Sequence, residues 1–526
     1  MPKRELPSRR RLAAAIAWLA VAVQPTAAHD AGAATEPTAD RPNVLFVSID
    51  DLNDWVGVLE GHPDARTPNI DRLAERSVVF SNAYCTSPLC NPSRAAVFSG
   101  RLPTATGVYT NSDGDVRKAR PDLKLLPTVF RDNGYATFGA GKLLHQSSRA
   151  LFEEGFFPHL RWSPFDPRQV KYEADELPRK GTEAQSHEAT LAGRTVSLPL
   201  NGMPSDRNPE SDRGESFDWG ALPVDDAAMG DGKLTDWGAD LLRREHDRPF
   251  FMAIGYYRPH IPLFAPERYF ELIGAAERIP LPPFNREDLD DLGPYARRTA
   301  LEADTAGAHR TVVEHGQWRE AVKAYLACIA FIDAQVGELL DALDEGPNGR
   351  DTIVVLWSDH GWHLGEKQHW GKWTLWERSL HVPLMVALPG QPEHARGRRE
   401  EAVSLVDLYP TLVDLCGLTD APEQLDGQSL APLLGRGALA DSEERVALSM
   451  MRAGDYSLID PPWHYIRYND GSEELYDWRT DKNEWRNLAG ERSYNSELER
   501  MREQLRDLSE RTALEGVERA KRLASD

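Results

Sequence analysis

The stretch Asn43-Val44-Leu45-Phe46-Val47-Ser48-Ile49-Asp50-Asp51 decides the architecture. A continuous apolar run, entered from Pro42 and left through paired aspartates, suits a β-strand covered on both faces. Outward from it, Thr67-Pro68 predicts a helix to about Arg76, with Thr67 as its cap and Pro68 in its first turn. Residues 135–140, 250–254, 352–357 and 382–388 repeat the core-strand pattern. Ahead of 352–357, Trp318, Val322, Tyr325, Ile329, Ile332, Val336 and Leu340 recur every three or four positions, as on one long helix. Strands alternating with helices predict an α/β fold with a mostly parallel sheet. Residues 158–222 and 283–317 are rich in charged residues and poor in periodicity, and read as insertions that shape access to a site or decorate the surface. Beyond Leu434-Gly435-Arg436-Gly437 the texture changes. Residues 463–468 and 474–477 read as short strands and 494–512 as an amphipathic helix, which predicts a main domain over 42–440 and a smaller α+β subdomain over 441–526.

The N-terminus reads as a secretory leader over 1–28. Arg9, Arg10 and Arg11 flank a short apolar run from Leu12 to Val23, and Thr26-Ala27-Ala28 offers small residues for cleavage. A polar linker follows over 29–41. The alternative is an uncleaved anchor. No later segment is apolar for long enough to span a bilayer, so no stable membrane insertion is expected after cleavage, and the chain is expected to be secreted or periplasmic. The formal charge is −22, and removing 1–28 takes away five basic residues and one acidic one, leaving −26. So acidic a body argues against nucleic acid as a partner, and any anionic ligand must be captured by local cations. Four cysteines, Cys85, Cys90, Cys328 and Cys416, are too few for a disulfide scaffold. Cys328 and Cys416 fall in helical stretches and read as core thiols or one bridge, whereas Cys85 and Cys90 fall in a loop.

In open parallel sheets ligands bind beyond the carboxyl ends of the strands. Asp50 and Asp51 end the first strand there, and Asp359, His360 and Gly361 follow the strand over 352–357. Adjacent carboxylates are unfavourable without a neutralising partner, and hard oxygen ligands favour Ca²⁺ or Mg²⁺. An ordinary loop cap is the other reading of the pair. In Cys90-Asn91-Pro92-Ser93-Arg94, Pro92 suits the first turn of a helix, which would set Cys90 at an anion-favouring N-terminus with Arg94 one turn on. An incidental cysteine in a capped helix remains open at this point. Gly141-Lys142-Leu143-Leu144-His145 follows a second strand, Pro259-His260-Ile261-Pro262 a third, and Gly371-Lys372 the loop after His360.

Cys90-x-Pro92-Ser93-Arg94 resembles the signature of the type I sulfatases of the alkaline-phosphatase superfamily. The likeness extends through 43–51, 67–74, 141–145, 259–262, Ser358-Asp359-His360-Gly361, 405–412 and 474–477, nearly the whole chain beyond the leader. Gly-Lys-x-x-His, Pro-His-Ile-Pro and Asp-His-Gly-Trp with the later Lys372 look most like the iduronate-2-sulfatase group. Asn91 departs from the small residue more usual at its position.

The resemblance implies a large mixed, mostly parallel sheet sandwiched by helices, as in alkaline phosphatase. It implies that Cys90 is oxidised to formylglycine by a formylglycine-generating enzyme, and that the hydrated aldehyde is the nucleophile. Asp50, Asp51, Asp359 and His360, with the residue-90 side chain, would hold one Ca²⁺. Arg94 and Lys142 would stabilise the hydrate, Lys372 would hold sulfate oxygens, His145 would take a proton from residue 90, and His260 would protonate the leaving alcohol. The implied substrate is a sulfated carbohydrate, a 2-O-sulfated uronic acid or related sugar, as in glycosaminoglycan degradation. The alternatives are an aryl or choline sulfatase, a phosphoester or phosphonate hydrolase of the same superfamily, and an inactive glycan-binding relative.

Overall fold

The computed structural model describes residues 41–158, 164–170, 187–204, 206, 216–303, 307–436 and 445–513. The leader over 1–28, nearly all of the linker and the boundary expected at residue 440 lie outside these residues. The quoted stretch forms β1 (Asn43–Asp50), buried from Val44 onward. Around it stand β2 (Val78–Tyr84), β3 (Ala136–Gly141), β4 (Glu154–Phe156), β5 (Phe250–Pro259), β6 (Thr352–Ser358), β7 (Leu384–Ala387) and β8 (Gly397–Ser404). They make one eight-stranded sheet in the order β8-β2-β7-β6-β1-β5-β3-β4. Only β7 runs against the others. The large mixed, mostly parallel sheet expected from the sequence is therefore present, with β7 as its reversed member.

Alternation along β1 builds both layers. Leu45, Val47 and Ile49 pack with α3 (Gly230–Leu242) and α4 (Trp318–Glu345), while Val44 and Phe46 pack with Ala95, Val97 and Phe98 of α2 (Cys90–Ser99). The predicted long helix is α4. The strand expected over 250–254 runs on to Pro259, so the Tyr256–Pro259 segment belongs to the sheet rather than to the loop after it. The β1–β5 register shifts between Ile49 and Asp50, which sets Asp50 opposite Pro259. Such a shift re-aims the strand end. All four cysteines are buried and free, so the bridge considered for Cys328 and Cys416 is absent.

In the C-terminal part, β9 (Ala447–Met450), β10 (Tyr456–Asp460), β11 (Trp463–Arg467) and β12 (Glu473–Asp477) form an antiparallel sheet in sequence order. Its apolar face packs on Leu498, Met501 and Leu505 of α5 (Asn495–Ala513). β9 and β10 were not anticipated. The Met450 amide donates to Thr86 O at 2.8 Å, tying this sheet to the chain ahead of α2. Among the described residues no helix is long and apolar enough to cross a membrane.

The helix α1 (Pro68–Glu75) forms as expected, but Thr67 does not cap it through its side chain. Thr67 Oγ1 instead accepts from the Gly57 amide at 2.8 Å. The free amides of the first turn go to Asp333 on α4, which accepts from Asn69 N at 3.0 Å and Ile70 N at 2.8 Å. A carboxylate brought by another helix outcompetes the local hydroxyl because it satisfies two amides at once. Asp333→Ala is expected to destabilise the protein by about 1–3 kcal/mol, since the buried Ile70 amide and the part-buried Asn69 amide lose their acceptor. Urea denaturation checks this.

Candidate active site

Because β1, β2, β3, β5 and β6 share a direction, their carboxyl ends lie along one edge of the sheet. Each delivers a polar group there: Asp50 and Asp51 after β1, Cys90 on α2 after β2, Lys142 after β3, His260 after β5, and Asp359 and His360 after β6. Asp51 N donates to Asp359 Oδ1 at 3.1 Å, so the two acidic clusters are in direct contact.

Arg94 lies at the centre and is wholly buried. Its Nε donates to Asp359 Oδ2 at 2.7 Å, its Nη2 to Asp50 Oδ1 at 3.2 Å and its Nη1 to Ser48 Oγ at 3.3 Å. The Lys142 carbonyl also accepts from it. Burial opposes the guanidinium charge, but Asp359 and Asp50 hold the group firmly protonated. The two carboxylates diverge. Burial raises Asp359, and Arg94 and His360 only partly oppose it, leaving it pushed up to about 7. For Asp50 the burial effect is overcome by the attached Lys142 ammonium, and its carboxyl falls well below the ordinary range.

Cys90 begins α2, as the Pro92 position suggested, and is fully buried. Its Sγ lies 3.3 Å from Lys142 Nζ, 3.1 Å from Lys372 Nζ and 3.3 Å from His360 Nε2. Burial pushes the thiol up, yet the Lys142, Lys372 and His360 charges, with a hydrogen bond from His145, bring it well below its usual range. His145 itself is half-buried, and its Nδ1 has no hydrogen-bond partner among the described residues. The other signature residues have structural partners. Ser93 Oγ donates to Asp359 O at 2.6 Å. Asn91 is buried, and its Nδ2 donates to Thr110 O at 3.0 Å and Gly114 O at 2.9 Å, which accounts for a larger residue at this position.

Asp51 is held in a left-handed backbone conformation at φ 62°, unusual for a residue other than glycine. Tyr325 secures it: its hydroxyl donates to Asp51 O at 2.7 Å and accepts from Asn53 N at 3.0 Å. Asp51 Oδ1 accepts from Lys372 Nζ at 2.7 Å, while Oδ2 is buried and has no hydrogen-bond partner among the described residues. Burial lowers the Lys372 pKa, but Asp51 and Cys90 more than restore it, so the amine stays charged. His360 turns Nδ1 toward Gly361 O at 3.0 Å, which directs Nε2 to Asp51 Oδ1 at 3.4 Å and Asp359 Oδ2 at 3.6 Å. Burial lowers its pKa, and Asp359 reverses the shift to about 9. Ligand atoms of Asp50, Cys90, Asp359 and His360 lie within 4.8 Å of one another, as do those of Asp50, Asp51, Cys90 and His260. Three buried carboxylates, an imidazole and one orphaned carboxylate oxygen fit a hard divalent cation. A backbone carbonyl fixing the distal ring nitrogen is the usual outer support of a histidine ligand.

His260 is half-buried, with Nδ1 2.6 Å from Ile261 O. Its loop hangs on two buried residues that sequence reasoning did not single out. Arg258 donates from Nη1 to His260 O at 2.7 Å and from Nε to Phe264 O at 2.8 Å. Asp231 on α3 accepts from Tyr257 N at 2.7 Å and Arg258 N at 3.2 Å. Burial pushes Asp231 up to about 7 against the pull of Arg258. Tyr325 was legible only as one apolar position of its helix.

Removing Arg94 would leave buried Asp359 facing only His360, and buried Asp50 only Lys142. Arg94→Met is expected to cost about 3–5 kcal/mol of stability, the usual result of breaking a buried pair from one side. Arg94→Lys should recover only part of it, because a point charge cannot serve both carboxylates as a planar fork does. Denaturant titration of both variants checks this.

Comparison with known proteins agrees with this geometry. A family model described as Sulfatase matches residues 42–418, and one described as N-sulphoglucosamine sulphohydrolase, C-terminal, matches 365–511. A sulfatase from Formosa agariphila is 33% identical over 88% of this chain and 86% of its own. Human iduronate 2-sulfatase is 30% identical over 73% of this chain and 70% of its own. The crystal structure of a phosphonate monoester hydrolase from Agrobacterium radiobacter superposes with a TM-score of 0.69 at 21% identity, covering 90% of this chain and 96% of that one, a likeness of fold. A sulfatase model matched across the whole parallel sheet, and a relative sharing a third of its residues along most of both chains, identify this chain as a member of the type I sulfatase family of the alkaline-phosphatase superfamily, a sulfuric ester hydrolase.

Proposed function

We propose that this enzyme releases sulfate from a 2-O-sulfated uronic acid, or a related anionic sugar of a sulfated glycan, using a formylglycine made from Cys90 and one Ca²⁺. The observation that carries the reading is the charge inventory around Cys90. Asp50, Asp51 and Asp359 face Arg94, Lys142 and Lys372, all nearly or wholly buried. Such a site is formally balanced when empty, and the two charges of an entering divalent cation are offset by a monoanionic sulfate ester together with an ionised oxygen at residue 90, which suits Ca²⁺ and a sulfate ester.

Asp50, Asp51, Asp359 and His360 would hold the cation, with the side chain of residue 90 facing it. Calcium bound there would supply Lewis-acid polarisation of sulfate oxygens and of the nucleophile. Formylglycine, when formed, would supply an oxygen nucleophile that a thiol cannot, and a route to expel sulfate afterwards. Lys372 binds sulfate oxygens across the site from Lys142, which holds negative charge at residue 90 together with Arg94. His145 accepts a proton from residue 90, and its hydrogen bond with the Cys90 side chain supports that role. His260 donates a proton to the oxygen of the leaving alcohol.

The likeness to an iduronate 2-sulfatase motivates the uronate. The acidic net charge of the chain favours a short, chain-end substrate over tracking along a polyanion. The same reading assigns a formylglycine-generating enzyme as the maturation partner, a cleaved leader over 1–28, a catalytic domain over 42–440 with a subdomain over 441–526, and a secreted or periplasmic location. Peptide mass spectrometry across Cys90, combined with sulfate release from glycans of defined desulfation, tests the proposal. Cys90 is expected as formylglycine in active protein, and full turnover by wholly unmodified protein would overturn it.

Two sets of variants extend the test. Asp50→Asn and Asp359→Asn are each expected to lower turnover at least about a hundredfold, with calcium binding weakened in calorimetry, because such sites stabilise developing charge by several kcal/mol. His260→Ala is expected to cost roughly 10²–10⁴ on an alkyl sugar sulfate and far less on a nitrophenyl sulfate, whose leaving group needs no proton. Equal losses on both substrates would remove His260 from the acid role. Absence of release from uronate-2-sulfated glycans would transfer the substrate to the aryl or choline class.

A further inference from the structure

Lys372 is carried by a segment whose backbone is under unusual constraint. Gly365 has φ 126°, Lys367 55°, Gln368 51°, Gly371 111° and Trp373 74°. Three of these are side-chain-bearing residues in the left-handed region, and such conformations persist only where surrounding contacts over-determine them. Those contacts come largely from outside the catalytic edge of the sheet.

Their centre is Lys367, 4% exposed although it is a lysine. Its Nζ donates to Asp288 Oδ1 at 2.8 Å and to the backbone carbonyl of Glu484. The ammonium lies 5.4 Å from the Trp376 ring and 5.2 Å from the Tyr476 ring. Asp288 is 1% exposed, Glu474 1% and Glu484 3%. Glu474 on β12 accepts from Trp376 Nε1 at 2.8 Å and Tyr476 Oη at 2.7 Å. Glu484 accepts from Glu377 N at 3.0 Å and Trp478 Nε1 at 3.1 Å, and pairs with buried His464 of β11. On the catalytic side of the segment, His369 faces Lys372 O at 2.9 Å and Ala300 O at 2.9 Å, and Trp373 N donates to Pro88 O at 3.2 Å. The segment is thus fastened at both ends, and only its tip, Lys372, turns to Cys90.

We propose that Lys367 is a positioning residue for Lys372: anchored between Asp288 and the Glu484 carbonyl of the C-terminal part, it holds the 365–373 segment in the strained path that points Lys372 at the bound sulfate. This rests on the sulfate-holding role given to Lys372. A buried ammonium with one carboxylate, one carbonyl and two aromatic faces has a single low-energy seat, which makes it a more exact locator than an apolar contact. The C-terminal part thereby contributes to catalysis through geometry.

The test is a double-mutant cycle with Lys367→Met and Lys372→Met, read by kcat/KM on a sulfate ester and by amide hydrogen exchange. Lys367→Met is expected to lower kcat/KM by about ten- to a hundredfold, as small misplacements of a binding group do. The same substitution in the Lys372→Met background is expected to add little, because both act through one amine. Exchange across 365–373 is expected to rise, while the peptide over 90–100 is unchanged. Additive losses in the cycle would overturn the proposal. Unchanged exchange across 365–373 would overturn it too, and this readout needs no turnover, so it separates failure of the proposal from failure of the sulfate reading. Asp288→Asn, which keeps the lysine and weakens its seat, is expected to shift exchange the same way by less. If Lys367→Met does not fold, an unshifted Asp288→Asn overturns the proposal.

Discussion

The site depends on one guanidinium. Arg94 lies with no exposed surface between Asp50, at the end of one strand, and Asp359, just beyond its neighbour. Without it, two parallel strands would deliver like charges to the same point in a region that excludes water. With it, the carboxyl edges of β1 and β6 are pinned to the first turns of α2, and through that helix to Cys90. The desolvation of three ions is offset by hydrogen bonds from Nε, Nη1 and Nη2, which an ammonium could not make.

Around that pairing the remaining charges fall into order. Lys142 and Lys372 each take one aspartate of the Asp50-Asp51 pair and both lie near the same sulfur. The adjacent aspartates coexist because each has its own cation, and the second of them sits in a left-handed turn. Tyr325 bears the cost of that turn by bonding to both sides of it. Conformational strain and electrostatic compensation are thus two aspects of one arrangement.

Much of this was legible in the sequence. β1 was readable because a strand buried on both faces must be apolar throughout, and the polar residues beyond it stood out against that background. The reading missed β8, whose Gly397–Ser404 stretch includes two arginines and two glutamates, because its first half is exposed at the sheet edge. It also missed the three-residue β4, too short to show a period. The structure brings Asp50, Asp51, Cys90, Asp359 and His360 together with Arg94, Lys142 and Lys372 at the carboxyl edge of the sheet. Tyr325, Arg258, Asp231 and Lys367 were not found, for a common reason. Each acts on backbone groups, those of Tyr325, Asp231 and Lys367 distant in sequence and those of Arg258 two and six residues on, and no local pattern records which carbonyl or amide folding will bring alongside. Thr67 holds the cap position of α1 as its spacing indicated, yet the first-turn amides go to the remote carboxylate of Asp333 rather than to its hydroxyl.

The four buried, unbridged thiols bear on where the chain can be made. A fold closed by disulfides acquires its stability only after oxidation and loses it on reduction. This one has no covalent cross-link to form, so its packing is indifferent to the glutathione poise around it. A reducing expression host and an oxidising one should yield the same architecture, and any difference between their products is then a difference in the chemical state of individual sulfur atoms rather than in the fold.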